Sequence, residues 1–310
     1  MKLRVTHKTS YVYADPVSSS HHLAHLAPRG GEGRQMLAHD VTITPQPSVT
    51  RERLDYFGNR TLYFSVREPH RSLDVVATSL VDIAPLRPPQ LEKSPPWGEI
   101  RDRLRQDRRR DLLDAFSFTF DSPYVSMSDN VRDYAAPSFP DGRPFLLAVR
   151  DLTRRIHADF EYDPGATDLT TSIESVLAQR RGVCQDFAHL QIACLRAFGL
   201  PARYVSGYLV THPPPGRPRL VGADASHAWI SVFAPDLGWT DFDPTNDLLP
   251  SDEHVTVAHG RDFSDVTPLK GVILGGGRHE VRVSVDVDPV VDSPSSMPVQ
   301  IQTQSQTQRQ

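Results

Sequence analysis

The sequence predicts an α+β fold in which a strand-rich N-terminal domain precedes a core of helices followed by strands. Apolar and polar residues alternate along residues 3–13 with the two-residue period of a half-buried strand. Along residues 145–160 the apolar residues recur instead at helical spacing. Beyond Gly199 the pattern returns to the strand period, and helices followed by strands are typical of α+β domains.

The composition excludes several classes of protein. Of the 310 residues, 38% are hydrophobic and 23% are charged, which is typical of a globular protein with a sizeable core. The formal net charge of -4 provides no broad positive field for nucleic acid. Because no apolar run approaches the roughly 20 residues of a membrane span and the N-terminus has no secretory signal, we expect a cytoplasmic protein without a membrane partner.

Residues 1–84 are predicted to form a sandwich-like β domain. The strand period recurs in residues 62–66, directly after a turn signal at residues 57–60, and residues 73–83 are rich in β-branched side chains. Residues 85–100 contain five prolines, which forbid regular structure and predict a connector.

Residues 101–290 are predicted to form the second domain. The charged segment at residues 101–114 predicts a surface helix, because acidic residues interleave with its basic run. Thr171 and Glu174 have capping-box spacing and predict a short helix that stops near Gly182.

The next helix is predicted to begin at or near Cys184. Phe187, Leu190 and Cys194 lie on its buried stripe, and Gly199 ends it. Ten residues of helix would separate the two cysteines of the chain by about 15 Å, which is beyond the reach of a disulfide. Both cysteines are therefore expected to be thiols, as in a reducing compartment.

Strands are predicted again towards the C-terminus, at residues 204–209, 226–233 and 239–243. Residues 281–288 alternate valine with polar residues, which predicts a final strand within the second domain. Residues 291–310 form a tail that ends in a Gln/Ser-rich polar sequence, and we expect it to be disordered.

Cys184 is the first candidate for catalysis. A thiol at a helix N-terminus faces unpaired backbone N–H groups and the positive end of the helix dipole, and both favour the nucleophilic thiolate. The same N–H groups can bind a developing oxyanion. Gly182 would leave room for a substrate carbonyl. Cys194, in contrast, is predicted to be an apolar core residue.

A cysteine nucleophile needs a base and a group that orients this base. His227 and Trp229 share one face of a predicted strand, and this face could border a cleft. Asp243, held extended by Pro244, could accept a hydrogen bond from His227. Asp241 has the same strand parity, so alternation alone does not choose between the two aspartates. A lone cysteine or histidine is more often structural, but the ordered set predicts a catalytic site.

Three motifs carry a resemblance to a known family: Gly-Val-Cys-Gln-Asp at residues 182–186, His-Ala-Trp at 227–229 and Asp-Pro-Thr at 243–245. They resemble the transglutaminase-like superfamily, whose core is similar to that of papain-like cysteine proteases. Residues 7–13 and 55–59 resemble the β-rich domain that precedes this core in bacterial members.

The resemblance implies that Cys184, His227 and Asp243 form a catalytic triad in a papain-like, transglutaminase-like core without a cofactor. It implies a protein or peptide substrate, whose carboxamide or peptide bond would be converted to a thioester. An amine then gives transfer, whereas water gives a cysteine protease or amidase, and the sequence does not separate the two. A non-catalytic binding module with a vestigial cleft is the third alternative.

Trp229 and Trp239 could line the acceptor side of the cleft, because both share strand parity with triad residues. The alternative is that both tryptophans fill the core. His21 and His25 have the spacing of a metal-binding pair on a helix, but no cysteine or carboxylate joins them locally, so no metal is predicted.

Overall fold

The computed structural model describes residues 1–31, 33–85, 88–168, 171–211 and 226–290. The strands are β1 (Lys2–Ala24), β2 (Arg34–Thr44), β3 (Val49–Leu54), β4 (Arg60–Val66), β5 (His70–Ile83), β6 (Glu161–Tyr162), β7 (Arg181–Gly182), β8 (Ala202–Leu209), β9 (Ser226–Ala234), β10 (Gly238–Phe242), β11 (His254–Gly260), β12 (Leu269–Gly275) and β13 (His279–Pro289). The helices are α1 (Trp97–Gln106), α2 (Arg110–Phe116), α3 (Asp129–Ala135), α4 (Phe145–Asp159), α5 (Ile173–Gln179), α6 (Cys184–Ala197) and α7 (Phe263–Val266).

The predicted α+β fold, with a sheet-rich N-terminal region, is confirmed. The predicted disordered tail lies outside the described residues.

The first sheet is built around β1, a strand of 23 residues. The sheet has the order β2-β5-β1-β4-β3, and β12 and β13 also pair with β1. The N-terminal half of β1 pairs with β5 and β13, and its C-terminal half pairs with β4 and β12, always antiparallel. Leu3 and Val5 are buried, as the alternation predicts.

The sequence pattern places the C-terminal strand in the second domain, and this prediction is wrong. β13 pairs with β1 from Leu3↔Pro289 to Tyr13↔His279, so the chain returns to the first sheet. Val285 is buried while Val283 is exposed. The period of the sequence predicted the strand, but it carries no information about which strand becomes its neighbour.

The second sheet positions the candidate catalytic residues. It has the order β10-β9-β8-β11 with antiparallel pairing, and α6 packs against β8 and β9. In the register of this sheet His227 lies opposite Gly207, and Asp241 lies opposite Ser231. The start of α6 and the beginning of β9 therefore lie close together at one end of the core.

The two sheets are joined by buried polar contacts. His7 Nδ1 on β1 lies 2.9 Å from the hydroxyl of Tyr208 on β8. Asn59, which follows the turn at residues 57–58, exchanges two hydrogen bonds with the backbone of His259 on β11, at 2.7 and 2.9 Å. These contacts fix the second sheet relative to the first.

Three helix predictions differ from the structure. The charged segment at residues 101–114 forms two helices rather than one, and α1 already begins at Trp97, directly after two prolines of the predicted connector. Proline is tolerated at such a helix start. It has no backbone N–H group, and an N–H group at this position would have no acceptor within the helix. Ser172, not Thr171, caps α5, by accepting a hydrogen bond from the backbone of Ser175 at 3.2 Å. In the described part of the chain, no helix is long and apolar enough to cross a membrane.

The histidines near residue 21 lie on or just after a strand rather than on a helix. His21 and His22 belong to β1, where successive side chains point to opposite faces. The ring of His22 stacks on Phe64 at 4.8 Å, and His21 Nδ1 lies 2.7 Å from the hydroxyl of Tyr63. The helical arrangement that would bring His21 and His25 together is therefore absent.

Candidate active site

Cys184 is the first residue of α6, as predicted from the sequence. The backbone N–H of Val183 donates to Asp186 Oδ2 at 2.8 Å, and the Thr167 hydroxyl donates to the same oxygen at 2.6 Å. Asp186 therefore fixes the loop that delivers Cys184 to the helix start. Burial raises the pKa of Asp186 above its usual value, although both hydrogen bonds oppose this shift.

Gly182 does not leave an open space for substrate. A Cβ atom added to Gly182 would lie 2.8 Å from Asp186 Oδ2 and 2.9 Å from Asp186 Cβ, and both distances are shorter than such contacts allow. The space beside Gly182 is thus occupied by Asp186. A glycine is therefore needed at position 182 because the Asp186 side chain packs against it. The space that we predicted for a substrate carbonyl beside Gly182 is filled by this side chain.

His227 and Asp243 are brought together as the sequence predicts. His227 Nε2 donates to Asp243 Oδ2 at 2.7 Å, and Asp243 is 0% exposed. The backbone N–H groups of Thr245 and Asn246 donate to Asp243 Oδ1 at 2.9 and 3.2 Å. The turn that follows Asp243 thereby orients the carboxylate towards the histidine.

The electrostatics of the site favour a protonated imidazole. Burial alone would lower the pKa of His227, but the hydrogen bond to Asp243 and the interactions with Cys184 outweigh it and raise the pKa to about 10. Burial opposes ionisation of Asp243 as well, yet His227 and the other donors hold its pKa well below the usual range. Since Nε2 is bound to Asp243, Nδ1 of the ring is left for the sulfur of Cys184. An imidazolium is the partner that a nucleophilic thiolate requires.

Two further residues, His254 and Asn246, contact Asp243 and are not part of the predicted triad. His254 Nε2 lies 3.4 Å from Asp243 Oδ2, and Asn246 Nδ2 donates to the same oxygen at 2.8 Å. No motif surrounds His254, which reaches the site only because β11 pairs with β8. Asn246 directly follows the Asp-Pro-Thr motif. This closeness in sequence to Asp243 is the one feature that could have indicated its contact with the carboxylate.

The ligand atoms of His227, Asp243 and His254 lie within 4.8 Å of one another, and two imidazoles with a carboxylate are a possible metal-binding set. Two of these atoms, Nε2 of His227 and Oδ2 of Asp243, are already joined at 2.7 Å. This distance is shorter than the separation of about 3.3 Å between ligands that a tetrahedral zinc ion bound at about 2.0 Å would require. The arrangement therefore fits hydrogen bonding better than coordination.

The structure also distinguishes the two aspartates of equal strand parity. Asp241 Oδ2 accepts a hydrogen bond from the indole Nε1 of Trp229 at 3.3 Å and lies 3.7 Å from a guanidinium nitrogen of Arg34. Asp243 is the one that contacts His227. The geometry therefore agrees with the choice made from the Asp-Pro-Thr motif.

Neither tryptophan lines the cleft. Trp229 shares a face with His227, at 6.0 Å between ring centroids, but it is 0% exposed and packs edge-on against His254. Trp239 pairs with Phe233 on β9, six residues beyond His227 and thus about 20 Å along the strand. Trp229 fills the core, which is the alternative that the sequence left open, whereas Trp239 is partly buried and packs against the core away from the triad.

Tyr162 is an exposed aromatic residue that lies close enough to Cys184 to sense its charge. It pairs with Gly182 in the short parallel sheet of β6 and β7, and it is 53% exposed. Burial of part of the ring and the negative charge of Cys184 raise the pKa of Tyr162 above its usual value. No motif in the sequence indicated this residue.

Two family models match the chain. Residues 3–82 match the bacterial transglutaminase-like N-terminal region, and residues 138–244 match the core of the transglutaminase-like superfamily. The protein belongs to the transglutaminase-like superfamily, in agreement with the resemblance carried by its motifs.

Several relatives extend over most of the chain. A Mycobacterium tuberculosis protein of uncharacterized function is 45% identical over 293 residues, which cover 93% of both chains. A Mycobacterium leprae protein is 34% identical over 289 residues, or 92% of this chain and 98% of the relative. A protein-glutamine gamma-glutamyltransferase of Pseudomonas aeruginosa is 34% identical over 111 residues, which are 35% of this chain but 17% of that enzyme.

Among solved structures, a candidate cysteine protease from Cytophaga hutchinsonii has the same fold. The two structures superpose with a TM-score of 0.73 at 24% sequence identity, over 94% of this chain and 92% of the other. The likeness covers the first sheet as well as the core, and it establishes the architecture rather than the reaction.

Proposed function

We propose that the protein is a cysteine-dependent acyl-transfer enzyme that acts on a carboxamide or peptide bond through a thioester of Cys184. The observation that carries this proposal is the position of His227, which is hydrogen-bonded to buried Asp243 at 2.7 Å and lies close enough to Cys184 for the cysteine to raise the pKa of its ring. This order of nucleophile, base and orienting carboxylate is the arrangement that activates a cysteine. Membership of the transglutaminase-like superfamily supports it.

In the first step the sulfur of Cys184 attacks the carbonyl carbon and a C–S bond forms. The carbonyl oxygen becomes an oxyanion, and the free N–H groups at the start of α6 are the donors available to it. The C–N bond then breaks, and the protonated ring of His227 gives its proton to the departing nitrogen. The products of this step are ammonia or an amine and a thioester on Cys184.

In the second step a primary amine attacks the thioester, and neutral His227 takes a proton from the attacking nitrogen. The C–S bond breaks, the sulfur leaves as a thiolate, and a new amide bond is released. Asp243 holds the ring in position throughout and stabilises its charge.

Hydrolysis is the second candidate, because water can replace the amine without any change in the residues used. The match to a protein-glutamine gamma-glutamyltransferase favours transfer, whereas the likeness to a candidate cysteine protease concerns the fold and leaves hydrolysis open. A non-catalytic binding module is a weaker alternative, since all three members of the triad are present and in contact.

The test combines a glutamine-containing peptide library with a fluorescent primary amine. Amine incorporation and ammonia release are measured for the wild-type protein, for Cys184→Ala and, as a matched control, for Cys194→Ala. We expect incorporation that disappears in Cys184→Ala and persists in Cys194→Ala. Release of free acid without incorporation would select the hydrolase. An unchanged rate in Cys184→Ala would exclude Cys184 as the nucleophile.

A further inference from the structure

A second cavity, distinct from the site around Cys184, lies where β2 of the first sheet approaches β10 and β11 of the second. Its volume is about 440 Å³. The polar and aromatic residues that line it include Arg34, Arg203, Trp239, Asp241, Ser251 and His259. Neither Cys184 nor His227 belongs to its described lining, so the triad does not account for it.

Arg203 is the most unusual residue of this cavity. Its guanidinium carbon lies 4.0 Å from the centroid of the Trp239 ring. Within the described residues the guanidinium has neither a hydrogen bond nor an ion pair, and its Nε is buried without a partner. Burial lowers the pKa of Arg203 to about 9. A guanidinium that lines a cavity and has no acceptor among the described residues is placed to bind an anion there.

Arg34 adds a second incompletely satisfied cation. One of its terminal nitrogens lies 3.7 Å from Asp241 Oδ2, but its Nε is also buried without a partner among the described residues. Asp241 already accepts from the indole of Trp229, so this carboxylate is shared. One carboxylate therefore faces two guanidinium groups in this cavity.

The charged residues in the described lining of the cavity carry a net positive charge, because Arg34 and Arg203 face the single carboxylate of Asp241. Burial, followed by the charges of Arg203, Arg29 and Arg34, lowers the pKa of His259 well below its usual value, so His259 is neutral. Arg29 donates from Nη1 to Asn59 Oδ1 at 2.6 Å, and it is not among the residues that line the cavity. The excess positive charge is thus concentrated on Arg34 and Arg203.

We propose that this cavity binds a small organic anion whose carboxylate or phosphate oxygens are held by Arg34 and Arg203. Guanidinium groups recognise such oxygens through paired N–H donors, and the guanidinium of Arg203, which lines the cavity, has no other acceptor among the described residues. The cavity volume falls in the range of small-molecule sites, roughly 300–1,000 Å³. The proposal goes beyond acyl transfer and does not depend on it.

The test uses inorganic phosphate and succinate as separate probes. The thermal midpoint of the full chain is followed as each probe is added, with sodium chloride at matched ionic strength as the reference. The same titrations are made for Arg203→Gln, Arg34→Gln, Asp241→Asn and, as a control, Arg282→Gln on the exposed part of β13. Circular dichroism checks that each variant is folded.

We expect a saturable rise of the midpoint with at least one probe, and the probe that acts identifies phosphate or carboxylate as the preferred group. Arg203→Gln and Arg34→Gln should weaken binding by about tenfold or more, and Arg282→Gln should not. Asp241→Asn should strengthen binding, because it removes the competing carboxylate. If Arg203→Gln does not fold, Arg34→Gln and Asp241→Asn still decide the matter. The absence of a saturable rise with either probe, or a rise that persists in Arg34→Gln, would overturn the proposal.

Discussion

His254 Nε2 lies 3.4 Å from Asp243 Oδ2, the same oxygen that accepts a hydrogen bond from His227 at 2.7 Å. The backbone N–H of Ser251 points at His254 Nδ1 from 3.4 Å, so the hydrogen of a neutral ring lies on Nε2. His254 is therefore a donor to Asp243. One buried carboxylate is shared by two histidines, and of these two described residues His227 is the one that Cys184 influences.

The first prediction concerns His254 as a positioning residue. His254→Leu removes the donor and should lower kcat by about ten- to a hundredfold with little change in KM, because Asp243 then orients His227 less well. His254→Gln keeps a donor and should retain most of the activity. His22→Leu, which alters a buried histidine of the first sheet, is the control for stability alone. Equal losses in the leucine and glutamine variants would contradict this role.

The second prediction concerns alkaline pH. Since the pKa of His227 is raised from 6.5 to about 10, the ring should keep the proton needed by the leaving nitrogen until the pH rises through about 10. We expect kcat/KM to fall there, with a midpoint that Asp243→Asn moves to lower pH. A pH profile of residual activity measures this shift. An unchanged midpoint in Asp243→Asn would show that Asp243 does not set the charge of His227.

The second prediction extends to stability, where the same raised pKa of His227 acts with a defined sign. The contribution is complete below about 6.5, where the ring is protonated in both folded and unfolded chains, and it is lost as the pH rises through about 10. The free energy of unfolding should therefore decrease between pH 7 and 10 more steeply in the wild-type protein than in His227→Gln. Denaturant midpoints at several pH values provide the measurement, and parallel slopes would contradict it.

The third prediction separates the two aspartates. Asp243→Asn should lower kcat by about a thousandfold, because an amide cannot hold the histidine in its charged state. Asp241→Asn keeps an acceptor for the indole of Trp229, so it should change kcat by less than about tenfold. Steady-state kinetics of the two purified variants decide between them. A larger loss in Asp241→Asn would reverse the assignment.

The sequence predicted the triad because its members lie in short local motifs with a direct physical meaning. Cys184 begins a helix, and Asp243 precedes a proline. His254 could not be found in this way, since its role depends on the pairing of β11 with β8. Strand parity placed Trp229 on the face of His227, but it could not show that this face is covered at that position.

The same distinction applies to the fold. The strand and helix periods predicted β13 and α4, since each follows from local sequence. The partner of β13 is β1, which lies about 270 residues away in the chain, and no local pattern specifies such a pairing. The division of residues 101–114 into two helices was missed because charge patterning does not mark the break at Asp107.

The fourth prediction concerns thiol reactivity. Cys184 is half-buried at a helix start, whereas Cys194 is fully buried and burial raises its pKa above the usual value. Alkylation near neutral pH should be about a hundredfold faster at Cys184, if local opening around Cys194 costs about 3 kcal/mol. Peptide mapping after timed exposure to iodoacetamide gives the alkylation rate of each cysteine. In Cys184→Ser the alkylation of Cys194 is measured by itself. Comparable rates in the folded protein would contradict the difference in environment.

The last prediction tests why residue 182 is a glycine. Its backbone is not in the left-handed region, so alanine meets no conformational barrier there. The obstacle is Asp186, whose Oδ2 would lie 2.8 Å from the new Cβ atom. Gly182→Ala should therefore cost about 1–3 kcal/mol of stability and displace the carboxylate that fixes the loop before Cys184.

A double-mutant cycle distinguishes this explanation from space reserved for substrate. Asp186→Ala alone loses the hydrogen bonds to Val183 and Thr167 and should reduce both stability and kcat. If packing is the reason, adding Gly182→Ala to Asp186→Ala should cost almost nothing further, because the clash has gone. If the space serves substrate instead, Gly182→Ala should raise KM to the same extent in both backgrounds. Denaturant midpoints and KM values for the four proteins of the cycle separate the two explanations, and additive losses in stability would rule out the packing explanation.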